Sequence, residues 1–233
     1  MTTRKRQGRV AGLLYLALAV TSTVGLGIPG SFMVRGDAAA TAAKLALHEI
    51  FYRLCIVSDV ASQVIFVFLV LAFFRLLRGV NERLAVLMVA LVLVQVPMVF
   101  ATTLVAMAPL AVLHGPAYWS SFDQHQLDAA TMGFLRLREI GISAVTALWG
   151  LWLLPLGLLV FRSAFIPRFL GVMLIVACFA DLAVSVVSLL LPAYEHTIQP
   201  LRALGVGEIL LILWLLIKGA RTESADDRQP SPA

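Results

Sequence analysis

Six long apolar runs, separated by short polar or charged breaks, set the pattern of this chain. A helix crossing a bilayer needs roughly 20 predominantly apolar residues. Runs of that scale fall at about residues 10–29, 50–74, 84–107, 135–161, 169–191 and 201–218. The pattern predicts an all-α, polytopic membrane protein with six transmembrane helices. The expected organisation is a basic N-terminus over residues 1–9, a transmembrane domain over 10–218, and a disordered polar tail over 219–233. The basic opening followed by an apolar run also fits a signal peptide. Its length and the membranous chain behind it favour a retained first span.

The breaks carry their own signals. The Gly36-Asp37 turn before an alanine-rich stretch predicts a short surface helix with Asp37 as its N-cap. Residues 108–133 form the longest polar break and read as a surface loop containing a short helix. Thr21, Ser22 and Thr23, late in the first run, can return hydrogen bonds to the preceding turn or to a neighbouring helix. Pro97, inside the third run, predicts a kink.

Polar residues inside the runs are not scattered at random. At about 100° per residue, Glu49, Tyr52, Arg53, Asp59 and Gln63 fall within an arc of roughly 120°. Phe51, Leu54, Val57 and Ala61 look elsewhere, so the second span offers lipid a greasy surface and its neighbours a polar one. In the fourth run Arg136, Glu139, Ser143, Thr146 and Gly150 share an arc of about 80°, with Arg138 pointing away. Asp181 lies about halfway along the fifth run, and Glu208 lies in the outer part of the sixth. An ionisable group inside a membrane marks a functional site by default.

Composition agrees with the pattern. Of 233 residues, 61% are hydrophobic and 13% charged, with a mean hydropathy of +0.94. A soluble domain carries about a quarter charged residues, so one soluble core could not be covered by this polar surface. The net charge of +5 resides in short clusters at the ends of apolar runs, which argues against nucleic acid as a partner. Arg4 to Arg9, Arg75 to Arg83, Arg162 with Arg168, and Lys218 to Arg228 hold twelve of the 18 Lys and Arg residues. With both termini on the same side as these clusters, the bias predicts cytoplasmic termini.

Chemistry narrows by what is missing. No HExxH pattern, CxxCH motif or glycine-serine nucleophile motif occurs, and the histidines fall at span ends or in loops. No metal, cofactor or catalytic residue is therefore assigned. Cys55 and Cys178 lie inside spans and read as buried small residues. An aspartyl mechanism using Asp59 and Asp181 is geometrically open, because both lie at similar depth.

Four stretches carry a resemblance: RVAGLLYLALAV running on to SDVASQ, FFRLLRGVNERLA, RSAFIPRFLGVMLIVACFAD, and GEILLILWLLIKG. Together they resemble the bacterial membrane family called domain of unknown function 4386. Arg53 to Asp59, Pro167 to Leu174, Asp181, and Gly207 with Glu208 stand at that family's recurrent positions. The resemblance implies a compact six-helix domain in a bacterial cytoplasmic membrane. It assigns no catalytic residue.

The expectation is a polar, outward-facing intramembrane cavity that binds a small-molecule or lipid-like ligand, with proton-coupled transport as its furthest reach. Its candidate residues are Glu49, Arg53, Asp59, Gln63, Arg136, Glu139, Asp181 and Glu208, with Arg53 and Arg136 as counter-charges. The alternatives are an intramembrane enzyme using acidic residues and a structural or accessory subunit. Expected partners are membrane lipids and the ligand, with a homo-oligomer left open.

Overall fold

The computed structural model describes residues 3–27, 29–115 and 117–220. All regular structure among them is helical. Helix α1 covers Thr3–Ser22, α2 Ala38–Leu47, α3 Glu49–Leu77, α4 Glu82–Leu113, α5 Gln124–Arg162, α6 Arg168–Leu190, α7 Glu195–Ile198 and α8 Val206–Ile217. Five helices are long and apolar enough to cross a membrane: those over Arg4–Gly25, Glu49–Leu77, Glu82–Leu113, Gln124–Arg162 and Arg168–Leu190. The last apolar helix, Ala203–Ile217, is shorter.

Apolar residues cover the surface of the bundle as well as filling its core, and a few polar residues are buried among them. Leu104, Phe179 and Ile209 lie more than half exposed, whereas Asp59, Gln63, Gln95 and Arg138 are buried. That distribution suits hydrocarbon outside and protein inside. On α3 the buried residues run Tyr52, Cys55, Asp59, Ser62, Gln63, Phe66, a helical stripe that faces α1 and α4.

Chain direction alternates. Ser58 Oγ on α3 donates to the Thr21 carbonyl, while Tyr15 meets Phe73 ring to ring at 5.8 Å, so α1 and α3 run antiparallel. The guanidinium of Arg4 lies 5.1 Å from the Phe165 ring centre, between α5 and α6, and Gly8 packs against Ala220 beyond α8. Both ends of the described chain thus meet at one end of the bundle. Gly219 permits this closure by taking φ +66°, a left-handed conformation that ends α8 and turns the chain onto Lys5.

Several elements depart from the sequence pattern. The first helix begins at Thr3, so the basic residues before the span are helical and continuous with it. The helix of the third run, α4, extends to Leu113 and passes through both Pro97 and Pro109. The helix of the fourth run, α5, begins at Gln124 rather than near Leu135, because Asp123 and Gln126 form a capping box that starts the helix inside the polar break. Asp37 does cap α2, accepting from the Ala40 N–H at 2.8 Å. Residues 221–233, most of the expected disordered tail, lie outside the described residues.

Candidate functional site

The sequence candidates separate into three groups. The first is an exposed set at the end opposite the termini. Glu49 accepts from Arg53 at 2.7 Å and pairs with His114, and Arg136 donates to Glu139 at 2.8 Å. Arg53 and Arg136 are more than half exposed. Neither supplies the expected counter-charge to a buried carboxylate, because each has an acidic neighbour one turn away on its own helix.

The second group is a buried knot. Asp59 is 1% exposed, accepts from the Thr103 hydroxyl at 2.8 Å, and lies 3.4 Å from Nη2 of Arg138. That same nitrogen donates to the Gly25 carbonyl at 3.2 Å. Arg138, expected to point away from the polar face, is thus the counter-charge of Asp59. The reason is the position of α5, which packs along α4 on one side and α6 on another and so buries more than one stripe. The carbonyl of Gly25 belongs to a π-helical turn, Thr23–Gly27, that follows α1. Such turns are rare and often found at functional sites. Only glycine fits there: a Cβ at residue 25 would stand 2.7 Å from the Asp59 backbone. Thr21, Ser22 and Thr23 return their hydroxyls to the carbonyls of Ala17, Leu18 and Ala19, the back-bonding that bends a helix end. Asp59 Oδ1 and Arg138 Nε make no hydrogen bond among the described residues, so the knot is only partly satisfied.

The third group lines a cavity of about 210 Å³. Its walls are Leu18 and Ser22 of α1, Gln63 and Phe66 of α3, Trp149 and Trp152 of α5, Asp181 of α6 and Glu208 of α8. Five helices converge here. Counted from the end that carries the termini, most of these residues lie roughly 14–21 Å deep at 1.5 Å per residue, near the middle of a ~30 Å hydrocarbon core. Two carboxyl groups therefore line one mid-depth chamber. Tyr15 donates its hydroxyl to Glu208 and packs edge-on against Phe73 and Trp152. Phe66 meets Trp152 at 4.9 Å, completing an aromatic wall. Gln63 is 2% exposed; its amide nitrogen donates to Ser62, and its oxygen has no hydrogen-bond donor among the described residues.

Close helix contact holds this chamber together. A Cβ on Gly150 would lie 2.9 Å from Cβ of Asp181, so glycine lets α5 press α6 into position. Ser185 donates to the Ser143 carbonyl at 2.6 Å across the same seam. Tyr15, Arg138 and Thr103 were absent from the sequence candidates. Arg138 was legible as an intramembrane charge, whereas a tyrosine in an apolar run carries no signal of its own.

The family assignment rests on nearly the whole bundle. A family model described as Domain of unknown function (DUF4386) matches residues 10–219. The chain belongs to the DUF4386 family. No curated protein and no solved structure matches it. The matched DUF4386 region contains all three groups of polar residues, from Tyr15 to Glu208.

Tyr15→Phe tests how firmly the DUF4386 chamber is closed. Loss of a buried hydrogen bond to a carboxylate costs roughly 1.5–3 kcal/mol. The variant is expected to unfold at lower denaturant concentration in detergent micelles, with helix content unchanged in the folded state. Wild-type stability would show that the bond is not maintained in solution.

Proposed function

We propose that this DUF4386 protein binds a small molecule in the chamber between α1, α3, α5, α6 and α8. The observation that carries the reading is the joint placement of Asp181, Glu208 and Gln63 around one mid-depth space. Buried polar groups are expensive in a low-dielectric interior unless hydrogen-bonded, and a ligand with complementary groups would find partners among them. Proton-coupled movement of the ligand is the furthest extension of the same reading, with Asp181 alternating between charged and neutral forms as the chamber opens and closes.

The proposal includes six spans and cytoplasmic termini in a bacterial cytoplasmic membrane. The 3-10 turn Gln199–Gly205 leads directly into α8. At about 2.0 and 1.5 Å per residue the two together reach roughly 32 Å, enough for a sixth crossing. The basic clusters at the end that holds the termini supply the orientation. On that orientation Ser22, at the end of α1, is the lining residue nearest the outer side.

A packing role is the better reading for Asp59, because Arg138 and Thr103 already engage its carboxylate and Gly25 packs against its backbone. Asp59 does not line the chamber that holds Asp181, which weakens an aspartyl mechanism built on that pair.

The test is side-resolved labelling of Ser22→Cys in a chain whose own Cys55 and Cys178, both buried, are replaced by Ala. A membrane-impermeant thiol reagent applied outside whole cells is expected to modify residue 22. A Phe73→Cys control should resist, since Phe73 is fully buried. An unreactive residue 22 from both sides would describe a sealed packing network and defeat the ligand reading.

A further inference from the structure

We infer that the end of the bundle holding the termini carries a binding site for an anionic phospholipid, seated on the turn between α5 and α6. The site is independent of the chamber and of any ligand there. Three guanidinium groups gather at this turn. Arg162 closes α5, Arg168 opens α6, and both are exposed. Arg4, also exposed, arrives from the start of α1, and its guanidinium lies 5.1 Å from the ring centre of Phe165, midway in the chain between the other two arginines. Phe165 is only 7% exposed, so its ring is a fixed platform. A guanidinium stacked on a ring uses its face. Its in-plane N–H groups stay available to a phosphate, which the planar fork can grip with two hydrogen bonds.

The surface beside the arginines decides between a lipid and a soluble phosphate. Phe161 immediately precedes Arg162 and is 41% exposed, and Phe169 immediately follows Arg168 and is 55% exposed. From Phe169 the exposed positions of α6 continue through Val172, Val176 and Phe179. Their spacing of three or four residues keeps them on one face of the helix. An apolar stripe thus starts at the basic turn and runs along α6 toward the middle of the bundle. A phosphate head on the arginines would lay its acyl chains on this stripe, whereas a soluble phosphate gains nothing from it. A zwitterionic head brings its own cation to the arginines. A head with net negative charge does not, so the site selects anionic lipids.

The experiment is native mass spectrometry of the full chain in detergent micelles, titrated with phosphatidylglycerol and phosphatidylcholine of identical acyl chains. The first phosphatidylglycerol is expected to bind about tenfold more tightly than the first phosphatidylcholine. Arg162→Gln combined with Arg168→Gln should lower the phosphatidylglycerol affinity about tenfold and leave that of phosphatidylcholine unchanged. Arg75→Gln combined with Arg78→Gln removes the same charge from exposed positions beside the α3–α4 turn, and this control should bind as wild type. Arg4→Gln should weaken phosphatidylglycerol alone and serves if the first double variant does not fold. Equal affinity of the wild-type chain for the two lipids would overturn the proposal. An equal loss in both double variants would describe attraction to the whole basic end and overturn the assignment to this turn. Displacement of phosphatidylglycerol by an equal concentration of glycerol phosphate would overturn the lipid in favour of a soluble phosphate.

Discussion

Arg138→Leu is expected to destabilise the protein by about 3–5 kcal/mol, the usual consequence of removing one partner from a buried ion pair. The substitution strands Asp59, which is 1% exposed and would keep only the Thr103 hydroxyl as a donor. It also frees the Gly25 carbonyl, whose π-turn binds the end of α1 to α3 and α5. The measurement is denaturant unfolding in micelles followed by circular dichroism. A second variant separates charge from packing: Asp59→Asn combined with Arg138→Leu removes the stranded charge and should recover part of the loss. The 3.4 Å separation of Asp59 and Arg138 is long for a charge-assisted bond, so the pair is better described as mutual neutralisation than as a tight bridge. Equal stability of Arg138→Leu and wild type would show that the knot carries no stability.

Gly171→Val is expected to prevent normal assembly of the α5–α6 pair. A Cβ at residue 171 would stand 2.6 Å from the Phe161 backbone nitrogen and 2.7 Å from the Gly157 carbonyl oxygen. Both are backbone atoms, so no side-chain rotation relieves the clash, and the helices must separate. Small residues at such crossings let membrane helices approach closely, and packing is the main force between them. Overpacked cores typically lose about 1–3 kcal/mol, and two backbone collisions place this site at or above the upper end. The expected readout is loss of the monodisperse size-exclusion peak. Gly79→Val, at a glycine with open space around it, is the control that should behave as wild type. A monodisperse Gly171→Val protein of normal stability would contradict the close crossing.

Separation at Gly171 would reach the chamber too, because Asp181 lies on α6 and Trp149 and Trp152 lie on α5. Stability and site are therefore coupled through one seam. The Gly150 contact with Asp181 makes this direct.

Much of the architecture was legible in residue order alone. Apolar runs of sufficient length report the cost of exposing backbone in hydrocarbon, which depends on local composition and little else. The arc of Asp59 and Gln63 likewise followed from helical periodicity, and the structure places both on the buried face of α3. The same arc placed Glu49 and Arg53 with them, yet these two lie in the first turns of α3, where Arg53 is more than half exposed. Periodicity assigns a face and is silent about depth, and depth decides whether a charge reaches water.

Pairing was not legible for a related reason. Arg53 and Arg136 were natural counter-charges by position, but each is satisfied within one turn of its own helix. Arg138 was set aside because its angle differs from that of Glu139. An argument from one stripe assumes one buried face, and α5 has neighbours on more than one side.

By itself, the sequence determined the all-helical membrane character, five of the long apolar segments and the presence of carboxylates within them. Hydrophobic length and helical period are local quantities, additive along the chain. Only the tertiary structure decided that Asp59 meets Arg138, and that Asp181 and Glu208 share a chamber with Gln63, Trp149 and Trp152. Those meetings depend on which helices touch and at what depth, set by close backbone approach at Gly25, Gly150 and Gly171. Such contacts join residues far apart in the chain, and no local property of either partner specifies the other.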